Sequence, residues 1–161
     1  MATINGTANN DELFGFATAD TINGFAGDDA VFADAGNDVV LAGAGNDVVY
    51  GNEGDDNLAG DDGNDLLDAA EGNDVLEGGL GNDSLTGGTG NDTVTGGLGN
   101  DIAYYTGNQG DFKFALNAVG NMVITDLNTL DGDEGTDVLD GIETIQFAHR
   151  SWQVTKLGEF L

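Results

Sequence analysis

Counting from Gly6, residues 6–104 divide into eleven consecutive nine-residue units with no insertion or deletion. Position six is Asp in every unit: Asp11, Asp20, Asp29, Asp38, Asp47, Asp56, Asp65, Asp74, Asp83, Asp92 and Asp101. Position eight is apolar in every unit, from Leu13 and Ile22 to Val94 and Ala103. Position four is Gly in the last nine units, Gly27, Gly36, Gly45, Gly54, Gly63, Gly72, Gly81, Gly90 and Gly99. One core-facing side chain per nine residues cannot bury itself. Stacking of unit on unit is therefore obligatory, and it buries a continuous row.

Each unit divides into a six-residue loop and a three-residue strand. Loops such as Gly87-Gly88-Thr89-Gly90-Asn91-Asp92 are built from residues that tolerate turn conformations. Triplets such as Thr93-Val94-Thr95 set one side chain on one face and two on the other, as strand alternation requires. The invariant apolar residue is the lone one, so its face is the core. Two units make an 18-residue turn whose strands alternate between two facing sheets. Eleven units then give an all-β parallel coil of about five and a half turns, roughly 26 Å long at ~4.8 Å per strand.

Charge narrows the chemistry. Thirty acidic residues face three basic ones, a formal net charge of −27. Nucleic acid and anionic membrane surfaces both demand Lys and Arg, so neither is an expected partner. No apolar run approaches the ~20 residues that span a bilayer, so no membrane insertion is expected. The opening Met1-Ala2-Thr3-Ile4-Asn5 lacks the basic and apolar regions of a cleaved signal peptide. Cysteine is absent, which removes disulfides and thiolate metal sites.

Stacking brings the loops of units n and n+2 about 4.8 Å apart with their Asp side chains in register. Unscreened like charges that close repel strongly. A hard divalent cation between the loops turns repulsion into attraction, with carboxylates and loop carbonyls supplying the six to eight oxygens Ca²⁺ prefers. Eleven units contain nine n/n+2 pairs, hence up to nine Ca²⁺. Residues 1–104 carry 21 acidic and no basic residues, so nine ions would leave about −3. Mg²⁺ fits less well, since it keeps its waters and wants strict octahedral geometry.

The units GGLGNDSLT (78–86), GGTGNDTVT (87–95) and AGAGNDVVY (42–50) carry the pattern GGxGNDxUx, with U apolar. In this the chain resembles the RTX, or haemolysin-type, calcium-binding repeat family. The resemblance implies a right-handed parallel β-roll with Ca²⁺ between successive turns. It makes the eleven Asp residues side-chain ligands, and it makes the loop glycines, the position-four set with Gly43, Gly79, Gly88 and Gly97, carbonyl donors. Units one and two depart from the pattern, with Asn9 and Thr18 at position four. Units four, five and eight begin with Ala33, Ala42 and Ala69. Sites in the first units are expected to be weak or empty.

After Tyr104 the repeat stops, and all three basic residues, Lys113, Arg150 and Lys156, follow. The alternating Phe112, Phe114 and Leu116, the turn at Gly120-Asn121 and the run Met122–Ile124 predict a hairpin. Residues 138–147 and 152–155 supply further strand-like segments. The expected organisation is a roll over 1–104 and a small β cap over 105–161 that closes its open edge. Residues 126–148 resemble the segment that follows the repeats in serralysin-type secreted proteases. Asp126, Asp131 and Asp133, with Glu134 and Asp137 in the same acidic stretch, either hold one more Ca²⁺ or form a solvated acidic loop. The closing Gly158-Glu159-Phe160-Leu161 resembles the uncleaved C-terminal signal of type I secretion substrates. That resemblance implies the type I secretion machinery as a partner and a secreted, bacterial protein.

No catalytic constellation stands out. His-Glu-x-x-His and Gly-x-Ser-x-Gly are absent, the serines are Ser84 and Ser151, and the sole histidine is His149. A non-enzymatic calcium module that folds outside the cell is the expected function, with a carbohydrate- or surface-binding module as the alternative. One outward row, Phe14, Phe32 and Tyr50 with Ala30 and Val48 beside it, predicts a self-association or partner surface. Asp68, Glu77 and Thr86 replace the aromatics in later units of that row.

Overall fold

A computed structural model of the chain describes residues 1–128, 130, 132–148 and 150–153, the last four by backbone alone. The repeat winds into a parallel β-roll. Strands β1 (Thr3–Asn5), β3 (Thr21–Ala26), β5 (Val39–Ala44), β7 (Asn57–Asp62), β9 (Val75–Leu80) and β11 (Thr93–Leu98) line up in one sheet. Strands β2 (Glu12–Phe14), β4 (Ala30–Phe32), β6 (Val48–Glu53), β8 (Leu66–Glu71), β10 (Ser84–Thr89) and β12 (Ile102–Tyr104) line up in the other. The register is 18 residues throughout, as in Val40↔Leu58 and Val49↔Leu67.

Position eight fills the space between the sheets. Ile22, Val31, Val40, Val49, Leu58, Leu67 and Leu76 are wholly buried. Position one also points inward, and the methyls of Ala33, Ala42 and Ala69 are wholly buried core atoms. Alanine there is compatible with the fold.

Apart from β4, the interior strands of the roll are six residues long, where a three-residue strand is the expectation from the sequence. Pairing covers positions seven to nine, skips position one, and resumes at positions two and three of the next unit, as in Gly43↔Asp61 and Ala44↔Asp62. The cause is the backbone at position two, which takes positive φ in every unit from Phe25 onward. That local reversal keeps the ladder hydrogen-bonded around the bend, and only positions four to six are left as loop.

The ends differ. At the start, β1 pairs with β3 through Ile4↔Ile22, so residues 3–5 act as the strand of one more unit. At the other end the hairpin forms as expected: β13 (Phe112–Leu116) runs antiparallel to β14 (Met122–Asp126). Next, β15 (Thr136–Asp140) pairs antiparallel with β14 and parallel with β11. Then β16 (Thr144–Phe147) pairs parallel with β12 and antiparallel with β17 (Arg150–Gln153). Both sheets thus run on past the repeat, and Tyr105, Phe112 and Phe147 extend the core, with ring centroids 5.2–5.9 Å apart.

The outward row stacks as anticipated. Phe14 and Phe32 lie 5.3 Å apart, Phe32 and Tyr50 5.4 Å, with planes within 10° and 14° of parallel. Below Tyr50 the row continues with Asp68 and Thr86. Glu77 is not in it: it belongs to an even-numbered unit and pairs with Ala59 and Thr95 on the other sheet.

Candidate metal centre

The repeat Asp residues form two ladders, one along each edge of the roll. From Asp11 to Asp83, each Asp amide donates to Oδ1 of the Asp two units on: Asp29 to Asp47 at 2.7 Å, Asp47 to Asp65 at 2.8 Å, Asp65 to Asp83 at 2.9 Å. The carboxylates sit inside the bend, and Asp20 through Asp101 are at most 2% exposed. One oxygen of each is therefore committed to the backbone.

The other is not. Among the described residues, Oδ2 of Asp29, Asp38, Asp47, Asp56, Asp65, Asp74, Asp83, Asp92 and Asp101 is buried with no hydrogen-bond partner. Its direction is marked by the position-one glycines. A methyl built on Gly60 would collide with Asp65 Oδ2 and lie 2.7 Å from the carbonyl oxygen of Gly78, one turn on. A methyl on Gly51 would meet Asp56 Oδ2 and, at 3.0 Å, the carbonyl oxygen of Ala69. In these glycine-led units, carboxylate and carbonyl thus face a common space between stacked turns, and neither brings a proton. Nine buried acceptors of this kind are costly unless a cation meets them. The donor set is all oxygen, which suits a hard cation such as Ca²⁺.

The same burial shows in the acidities. Burial lifts the Asp56 carboxyl to about 6 and those of Asp65 and Asp74 to about 7. In each, the amide of the preceding rung pulls the other way without cancelling it, and neighbouring carboxylates add to the rise. Asp38, Asp47, Asp83, Asp92 and Asp101 are also raised, by burial first.

Units one and two are built differently. Asp11 Oδ2 accepts the Thr7 amide and, at 2.9 Å, its hydroxyl. Asp20 Oδ2 accepts the Phe16 amide at 2.9 Å and Oδ1 the Ala2 amide, which holds Asp20 below the usual carboxylate range. Thr7 and Phe16 stand at position two and lack the positive φ found there in all later units.

The predicted glycines lie at the bend. Gly27, Gly36, Gly45, Gly54, Gly63, Gly72, Gly81, Gly90 and Gly99 all have φ between 114° and 158°. Gly43, Gly79, Gly88 and Gly97 hold the positive-φ position two. Asp126 spends Oδ1 on the Asn128 amide and Oδ2 on the Glu134 amide, and Asp133 accepts the Gly135 amide. Asp131, His149 and Gly158–Leu161 lie outside the described residues. Phe14, Phe32 and Tyr50 pair with one another along the outer sheet face.

Two features escaped the sequence reading. Position five carries Asn or Asp in every unit but the second, and these side chains form an exposed ladder: Asn64 accepts the Asn82 amide at 2.9 Å, Asp55 the Asn73 amide at 2.9 Å. The recurrence of Asn at that position was the available signal. The cap also takes over the Asp ladders, through Asp137 and Glu143.

The model of the RTX calcium-binding nonapeptide repeat matches residues 5–40, 32–67 and 68–103. Among curated proteins none matches the chain. Among solved structures, the extracellular lipase LipA from Serratia marcescens is similar at 16% identity and a TM-score of 0.32, over 85% of this chain and 37% of the lipase. The AlgE6R3 subunit of the Azotobacter vinelandii mannuronan C5-epimerase is similar at 20% identity and a TM-score of 0.36, over 84% of this chain and 73% of the subunit. The chain spans little more than a third of the lipase's length.

Proposed function

Because the chain belongs to the RTX calcium-binding nonapeptide repeat family, we propose that it is a non-catalytic module whose folding is driven by Ca²⁺ outside the cell. The observation that carries this reading is the row of nine buried carboxylate oxygens without partners. Asp29 to Asp101 would hold the ions together with the position-one carbonyls. Calcium bound there supplies the positive charge these oxygens lack, so binding free energy becomes folding free energy.

In low calcium the chain's −27 charge opposes compaction, and an extended chain is the form an exporter can thread. The acidic composition supports export of an unfolded chain, followed by folding where calcium is abundant. Residues 105–161 then serve as the unit that closes the roll.

The surface- or glycan-binding alternative draws less support. Phe14, Phe32 and Tyr50 turn their ring faces toward one another, which leaves edges rather than platforms for a sugar. Circular dichroism of the purified chain in calcium and in excess EGTA is the direct test. Loss of the β spectrum in chelator is expected, and its persistence at neutral pH would defeat the proposal.

A further inference from the structure

Asp92 and Asp101 stand in the last two units, with no repeat two units beyond them. Each nevertheless keeps the buried, unbonded Oδ2 that marks a cation place in mid-roll. What faces them belongs to the cap.

On one edge, a methyl built on Gly96 would collide with the carbonyl oxygen of Gly141 and lie 2.7 Å from Asp101 Oδ2. This is the pairing of acceptors seen above Gly60, with Gly141 as the position-one residue of a turn the repeat does not supply. The Asp101 amide donates to Glu143 Oε2 at 2.9 Å, and the Asp101 carbonyl accepts the Thr144 amide at 3.0 Å. Glu143, one methylene longer than Asp, fills the next rung. On the other edge the Asp92 amide donates to Asp137 Oδ1 at 2.9 Å, across 45 residues of chain. Asp137 is 2% exposed and its Oδ2 accepts the Tyr105 hydroxyl at 2.8 Å. Both rungs are held in repeat register, by Val94↔Leu139 and Ala103↔Ile145.

At the start of the roll Asp11 Oδ2 and the Gly24 carbonyl oxygen also share a neighbourhood, 2.9 and 2.7 Å from a methyl built on Gly6, but backbone amides already occupy Oδ2 of Asp11 and Asp20. We propose that the last turn binds two calcium ions at its junction with the cap, one among Asp101, Glu143 and the Gly141 carbonyl, the other on Asp92 Oδ2, whose rung Asp137 closes by accepting the Asp92 amide, and that the first turn binds none. This rests on the reading of the repeat as a calcium module. The expected total stays at nine, one per unpartnered Oδ2, but two places move from the N-terminal end to the cap. Closure of the roll and uptake of its last ions become one event.

The test counts bound calcium by equilibrium dialysis and metal analysis of the full chain. Glu143→Gln keeps an acceptor for the Asp101 amide and removes the charge; Asp140→Asn, at an exposed position of β15, is the control. Nine ions are expected for the wild type and Asp140→Asn, eight for Glu143→Gln, and nine for the double variant Asp11→Asn/Asp20→Asn. Unchanged stoichiometry in Glu143→Gln, or ions lost from the double variant relative to wild type, overturns the proposal. If Glu143→Gln does not fold at saturating calcium, the double variant decides by itself. A wild-type chain that binds no calcium defeats the underlying reading instead.

Discussion

In the first turn of the roll the repeat Asp side chains are satisfied by their own loops; from Asp29 onward one oxygen of each is buried and waiting. The residue at position six is the same in both regions, so the difference comes from its neighbours. Asn9 and Thr18 stand where later units have Gly, and in those two loops the position-two amide turns toward the carboxylate. With Gly at position four and positive φ at position two, that amide is withdrawn and the oxygen is left for a cation. An Asp in this repeat is thus a capping residue by default. In the proposed calcium module, the glycine-dependent bend is what frees its second oxygen for a ligand role.

Proton competition is the broadest way to break this comparison. The later-turn carboxylates have folded values raised from 3.8 to about 6 at Asp56 and about 7 at Asp65 and Asp74. Protonation therefore favours the ion-free folded roll. The stability that protonation gives it is fully present below the ordinary carboxylate value and is lost as pH rises through 6 to 7. Asp20 works in the opposite sense: its value is lowered by the Ala2 amide, so its contribution is present above the ordinary carboxylate range and lost as pH falls through the lowered one. In EGTA, β structure should accordingly grow as pH falls from 8 toward 4, and calcium binding at pH 7 should release protons. A chain equally unstructured across that range in chelator would contradict the assignment of buried, raised carboxylates to the later turns.

Single substitutions sharpen it further. Asp65→Asn removes the free carboxylate oxygen of a mid-roll rung while leaving an acceptor for the Asp47 amide. Ligand-shell changes of this kind cost about 10–100-fold in metal affinity, so the calcium midpoint of folding should rise by at least ~10-fold. Asp11→Asn alters a half-exposed side chain bonded to Thr7. It should move the midpoint by less than ~2-fold, within the ±0.5 kcal/mol typical of surface changes. Equal shifts in a calcium titration followed by circular dichroism would erase the distinction between the two regions.

Most of the architecture was legible because it is periodic. An apolar residue every ninth position has one way to be buried, and Ile22 to Leu76 are buried that way. The Asp rows followed from the same count. What was not legible depends on neighbours rather than on period. Whether Asp11 binds an ion or an amide is decided by the conformation of Thr7, and nothing in a nine-letter pattern states it. Glu143 and Asp137 join the ladders across 42 and 45 residues instead of 18, so the register that revealed the other rungs was broken there. Position one gave little signal as core, because most units carry glycine there, with no side chain to count, and only Ala33, Ala42 and Ala69 show a methyl.

The smallest expected effect concerns the bend itself. Position two carries Phe25, Asp34, Asn52, Asp61 and Ala70 at φ between 70° and 78°, a region where a Cβ costs about 1–2 kcal/mol. Ala70→Gly relieves that strain, while the extra freedom glycine gives the unfolded chain takes back part of it. A net gain of about 0.5–1 kcal/mol is expected, read as a higher melting temperature in saturating calcium. Gly88, the partner of Ala70 in the next turn, provides the reverse experiment. Its φ is 99°, and an added methyl would press on the Ala70 carbonyl, so Gly88→Ala should destabilise. In the first turn the same exchange should bring no gain, because Thr7 and Phe16 have no positive φ to relieve. Stabilisation by Thr7→Gly as large as that by Ala70→Gly would mean that the two kinds of turn share one bend after all.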